Sequence, residues 1–122
     1  LGDTAKQARR DGAYVASGPA EGCRSVTLPG RDGRPRRTDA YLQPKLGIVG
    51  IFAREDMRTP EGIALGSTRK ELEKAYPEVS AISDNGYRTV DLGGHRHYEF
   101  GMAKGRRVFE IALVDDRQMC FG

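Results

Sequence analysis

Only one stretch of this chain is patterned as a convincing helix, and it is short. In Thr59–Pro77, TPEGIALGSTRKELEKAYP, Thr68 is an N-cap residue and Glu71 follows three positions later, which is the pattern of a capping box. Gly66 allows a tight turn just ahead of it. Leu72, Ala75 and Tyr76, with Val79 beyond, supply an apolar stripe; Arg69, Lys70, Glu73 and Lys74 supply the wet face. Pro77 stops the helix. A helix this short cannot enclose a core, so its apolar stripe needs a sheet to lie on.

The remaining apolar residues fall into short strand-like runs. Leu46–Phe52, LGIVGIF, is apolar and β-branched, as a buried strand is, and Gly47 and Gly50 suggest a bulge or a close backbone approach within it. Ile63–Leu65 reads as a short strand ahead of the helix. Tyr87–Leu92, His95–Met102 and Arg107–Val114 read as an antiparallel meander, with turns at Gly93-Gly94 and Lys104-Gly105. Tyr98 and Phe100 alternate with His97 and Glu99; Phe109, Ile111 and Leu113 alternate with Val108, Glu110 and Ala112. Ala13–Ser17 and Cys23–Leu28 are weaker strand candidates. The segment Pro29–Thr38, PGRDGRPRRT, reads as a loop. Residues 1–13 read as a tether or a frayed helical turn, and residues 14–122 as one domain. The fold class expected is α+β: an antiparallel sheet of four to six strands with one main helix packed on one face.

Composition narrows the class of function. The chain has 122 residues, enough for one ordinary domain. Glycine numbers 16, well above the average of about 7%, which favours many turns over long helices. The longest apolar run, Leu46–Ala53, falls far short of the ~20 residues that span a bilayer. Net charge is +3, too weak a field to demand nucleic acid. The chain opens on Leu1 without a methionine, as a trimmed product does, so a targeting signal is expected to have been removed upstream.

The two cysteines, Cys23 and Cys120, stand near opposite ends of the chain. An even count placed this way is what one disulfide staple looks like. It would close a loop of roughly a hundred residues, contributing up to ~4–5 kcal/mol in the chain-entropy account. The alternative is a pair of unrelated buried thiols in a cytosolic protein. Zinc is disfavoured, because no CxxC or second ligand pair is present.

Ile63-Ala64-Leu65-Gly66-Ser67-Thr68-Arg69, a capped helix and then a meander resemble the module of the β-lactamase inhibitory protein. The same pattern is similar to the small outer-membrane-assembly lipoproteins of the SmpA/OmlA type. With TPEGI ahead of it and a cysteine near the C-terminus, it also resembles small secreted or lipid-anchored actinobacterial proteins of unknown function. The likeness covers roughly residues 59–121. One module is present where the inhibitor has two, and Ser67 stands where methionine is common. The resemblance implies a binding or scaffolding role and carries over no catalytic residue.

Candidate sites are few. Arg31, Arg34, Arg36 and Arg37 form a basic loop whose forked guanidiniums suit phosphates and carboxylates, or else simply keep an exposed loop soluble. His95, His97 and Glu99 alternate along one strand and so share a face, which would suit a metal; a solvated strand face explains them as well. Glu71 is explained as a cap, Glu73 as helix surface, and Asp115-Asp116 as a strand-ending turn. Tyr14, Tyr41 and Phe121 flank the core and fit either an edge covering or a partner surface. No GxSxG, P-loop or GxGxxG occurs.

The function expected is therefore non-enzymatic: a secreted or envelope-associated module that contacts a protein or a polyanionic envelope component, with a lipid anchor possible outside this sequence. No nucleic-acid partner, cofactor or metal is expected. A small-ligand or metal carrier is the alternative, and a cytosolic polyanion binder using the basic loop is third.

Overall fold

The computed structural model describes residues 1–2, 4–10, 14–17, 23–27, 39–104 and 106–120; for Ala8 and residues 14–17 it describes the backbone only. Among these residues the fold is mostly antiparallel β structure with two short helices. The elements are α1 (Ala5–Arg10), β1 (Tyr14–Ser17), β2 (Arg24–Thr27), β3 (Ala40–Gln43), β4 (Gly47–Phe52), α2 (Arg69–Ala75), β5 (Tyr87–Gly93), β6 (Arg96–Ala103) and β7 (Arg107–Asp115). The chain divides into two compact units, Leu1–Ile51 with Val114–Gly122, and Phe52–Leu113.

In the first unit β1, β2, β3 and β4 pair antiparallel in sequence order. β3 was not anticipated. Its four residues, AYLQ, are too few for an alternating pattern to stand out, yet Ala40 and Leu42 turn inward and join Val26 in a small core. Tyr41 pairs with Gly50 and Leu42 with Ile48, so the register passes over Val49. This two-against-one arrangement is the bulge that Gly50 suggested. Val49 is fully buried and packs with Cys23 and Cys120, which are joined as a disulfide with a Cα–Cα distance of 5.8 Å. Two further contacts secure the C-terminal segment. The Met119 N–H donates to Gln43 Oε1 at 2.8 Å, and Arg117 clamps the buried Asp115 carboxylate, with Nη2 to Oδ2 at 2.8 Å.

In the second unit the strands lie in the order β7, β6, β5. The connection before α2 is built from turns. Thr59 accepts from Gly62 N–H and donates its own N–H to the Ile63 carbonyl, while Gly62 adopts φ +92°, a conformation that favours glycine. Ile63–Leu65 is not a strand; Ala64 makes a single bridge to Arg58. Further on, the chain runs beside β7: Gly66 N–H donates to Val108 O at 2.7 Å and Val108 N–H donates to Ser67 O at 2.9 Å. This pairing delivers Thr68 to the start of α2, where the capping box forms in full. Glu71 N–H donates to Thr68 Oγ1 at 3.2 Å, and Thr68 N–H donates to Glu71 Oε1 at 2.9 Å. Leu72 and Tyr76 are buried in one cluster with Ile63, Val90, Phe100, Met102, Val108 and Ile111. The Tyr76 ring lies 5.7 Å from Phe100 and 6.0 Å from Tyr98, centroid to centroid. Its hydroxyl donates to Glu61 Oε2 at 2.5 Å, so the polar end of a buried tyrosine is satisfied.

The β5–β6 turn falls one residue later than the glycines suggested. Gly94 and His95 occupy it with φ +60° and +62°, the left-handed pair that a two-residue hairpin turn of the primed type needs.

Candidate binding face

β5 and β6 sort their side chains to two faces. Arg88 pairs with Phe100 and Val90 with Tyr98, and Val90 and Phe100 are core residues with Tyr98 packed against them. Tyr87 pairs with Gly101, Thr89 with Glu99 and Asp91 with His97, and these look the other way. The expected alternation of Tyr98 and Phe100 with His97 and Glu99 is thus present.

On β7 the expected alternation breaks. The sequence pattern groups Phe109 with Ile111, but Ile111 is buried in the core while Phe109 is 53% exposed. Val108 and Ile111, three positions apart, share one core cluster. Between them Phe109 and Glu110 both approach Gly101: a Cβ placed there would lie 2.8 Å from Phe109 Cζ and 3.2 Å from Glu110 Cβ. Two neighbouring side chains crowding one partner residue is the arrangement that an extra residue in a strand produces.

The result is an aromatic step on the face away from the Leu72–Phe100 core. The Phe109 ring lies across Gly101 with its edge geometry set by Tyr87, at 6.2 Å and 64° between planes. The Tyr87 hydroxyl donates to Glu110 Oε2 at 2.6 Å. That bond to a carboxylate, with partial burial, holds the Tyr87 phenol up to about 12. Further along the same face His97 Nε2 and Glu99 Oε1 lie 3.3 Å apart, and Asp91 Oδ1 accepts from Gly93 N–H at 2.9 Å.

The other candidates fall out as follows. Arg31, Arg34, Arg36, Arg37 and Phe121 lie outside the described residues. The Cys23–Cys120 disulfide is present, a bond characteristic of oxidising compartments. His95 does not share the face of His97 and Glu99: it occupies the exposed hairpin turn, because Gly93 is taken into β5 and the two-residue turn needs the next pair. No group of three or more His, Cys, Asp or Glu suited to a metal is found among the described residues. Glu71 serves its cap, and the hydrogen bonds from Thr68 hold its carboxyl below the ordinary value. Glu73 joins Arg88 at 3.1 Å and Arg69 at 3.5 Å. Asp115 ends its strand against Arg117. Tyr41 packs half-buried beside the disulfide.

Sequence reasoning missed Phe109 as a surface residue. The signal available was Gly101, a glycine inside a strand, which marks close approach by another group. No family model, curated protein or solved structure matches the chain. The face has to be read from its own chemistry.

Proposed function

We propose that this chain is a non-enzymatic binding module of an oxidising, extracytoplasmic compartment, secreted or lipid-anchored, and that its contact surface is the Phe109 face. The domain is read as α+β, with α2 covering one face of the β5–β6–β7 meander and leaving the opposite face for a protein partner. The observation that carries this reading is the exposure of Phe109. An aromatic side chain left 53% exposed, yet held in one place across a glycine on the neighbouring strand, is a pre-positioned anchor of the kind that partner surfaces use. The disulfide supports the compartment. The resemblance of Ile63–Arg69 and its helix to the inhibitory-protein and SmpA/OmlA-type modules supports a binding role.

The test is site-specific photo-crosslinking in the native host. Benzoylphenylalanine at position 109 is expected to give a discrete adduct with one partner. The same group at Lys74, exposed on helix α2 and therefore on the opposite side of the meander, is the control. Equal labelling at both positions, or none at position 109, would remove the reading.

A further inference from the structure

We infer that the segment received by the Phe109 face is an extended basic one, with arginine at alternate positions. This rests on the proposed use of that face and adds the chemistry of what binds there.

The charge on the face points this way. The residues gathered there are Tyr87, Thr89, Asp91, His97, Glu99, Gly101, Phe109 and Glu110. Three of these are carboxylates; among the described residues the one cation beside them is Arg107, which precedes core-facing Val108 on β7 and whose Nη1 donates to Gly66 O at 2.9 Å, and this excess of acid stands in a chain whose net charge is +3. The face therefore carries the sign opposite to that of the chain as a whole, and a basic segment complements it.

The chemistry selects arginine over lysine. Phe109 offers a ring with no hydrogen-bonding group, and Tyr87 meets it at a steep angle. Glu110 stands beside both, with Oε2 accepting from Tyr87. A guanidinium lies flat on an aromatic ring while its edge bonds a carboxylate, whereas an ammonium is a strongly hydrated point charge and does the first poorly.

Spacing selects an extended chain. Gly101, where Phe109 and Glu110 gather, and Glu99 and His97 are successive same-face positions on β6, with Asp91 opposite His97. Such positions repeat at about 6.7 Å, twice the rise of a strand residue. An extended Arg-x-Arg-x-Arg segment repeats its side chains at the same interval. One guanidinium then meets Phe109 and Glu110, the next Glu99, and the third Asp91.

The experiment is fluorescence anisotropy on the oxidised chain with a labelled peptide of alternating arginine and serine. Comparators are the lysine–serine and glutamate–serine analogues, and a block peptide with the same arginines placed consecutively. The alternating arginine peptide is expected to bind about tenfold more tightly than either the lysine or the block peptide, and to weaken with added salt. Phe109→Ala and Glu110→Gln are each expected to weaken it by about tenfold, while Glu78→Gln, at an exposed acid off the face, leaves it unchanged. Circular dichroism checks that each variant keeps its fold. Equal affinity for the arginine, lysine and block peptides overturns the inference, as does binding unaffected by Phe109→Ala. Dimerisation of the chain through Phe109 without peptide binding overturns it too. If the position-109 crosslink persists while arginine preference is absent, only the basic-segment inference falls; if both are absent, the use of this face falls with it.

Discussion

Gly101 is the slot into which Phe109 closes. The Phe109 ring occupies the space a side chain at Gly101 would need, with Cζ 2.8 Å and Cε1 3.0 Å from where a Cβ would stand. The glycine is buried, yet what buries it is a half-exposed ring. An exposed aromatic is thereby held in one place on the sheet surface.

The pair should behave as a coupled unit. Gly101→Ala alone is expected to destabilise the chain by on the order of 1–2 kcal/mol, because the ring must be displaced and Glu110 Cβ, at 3.2 Å, gives little room. In a Phe109→Ala background the same change should cost clearly less, since only the 3.2 Å approach to Glu110 Cβ remains and alanine lowers the entropy of the unfolded chain by up to about 1 kcal/mol. A double-mutant cycle by urea denaturation measures the difference. Additive costs would show that the ring and the glycine are independent.

Removing the staple should be felt strongly. The disulfide, buried beside Val49, ties the segment before β2 to the C-terminal segment within the first unit. Cys23→Ser with Cys120→Ser is expected to cost roughly 2–5 kcal/mol, and reductant should lower the Tm of the native chain but not that of the double variant. Protein taken from its own cells and alkylated before reduction should show both thiols protected; free labelling would contradict an oxidising location.

The cap of α2 offers a separate measurement. Thr68→Ala removes the acceptor for Glu71 N–H and is expected to cost about 1 kcal/mol. Thr68→Ser keeps the oxygen and should restore most of it. Helix α2 has only seven residues and buries Leu72, so the loss should appear in global stability by denaturant titration rather than as local fraying alone.

What could be read from the sequence divides by distance along the chain. The capping box was legible because Thr68 and Glu71 meet within one helical turn. The disulfide was legible because two cysteines allow a single intramolecular pairing. The β5–β6 hairpin was legible in kind but shifted by one residue, because Gly93-Gly94 and Gly94-His95 can both form the turn and the choice between them is made by pairing along Asp91–His97. β3 was missed because inward-facing Ala40 and Leu42 acquire meaning only beside Val26. Strict alternation puts Phe109 on the face of Ile111, but the phase of the strand changes between Val108 and Ile111. That change is visible only once Gly101 lies opposite. The Arg31–Arg37 loop lies outside the described residues, so the candidate site rests on the other surface the sequence offers, the solvent-facing side of the meander.

The tyrosines should report the packing through pH. The Tyr87 phenol is held up to about 12, first by its hydrogen bond to Glu110 and then by burial. Tyr76 is pushed further above its ordinary value by burial and by Glu61, and Tyr98 is raised by burial. The unfolded chain releases these protons near pH 10, whereas the folded chain retains them. The stabilisation from this source is therefore fully present below about pH 10 and is lost as pH rises through the folded-state values. Absorbance titration at 295 nm should show these tyrosines ionising late, and the Tm should fall steadily above pH 10. In Tyr87→Phe the late absorbance step should shrink and the alkaline fall in Tm should become shallower, because one of the retained protons is gone. An unchanged alkaline slope in Tyr87→Phe would show that the Tyr87–Glu110 bond does not contribute to holding the Phe109 face.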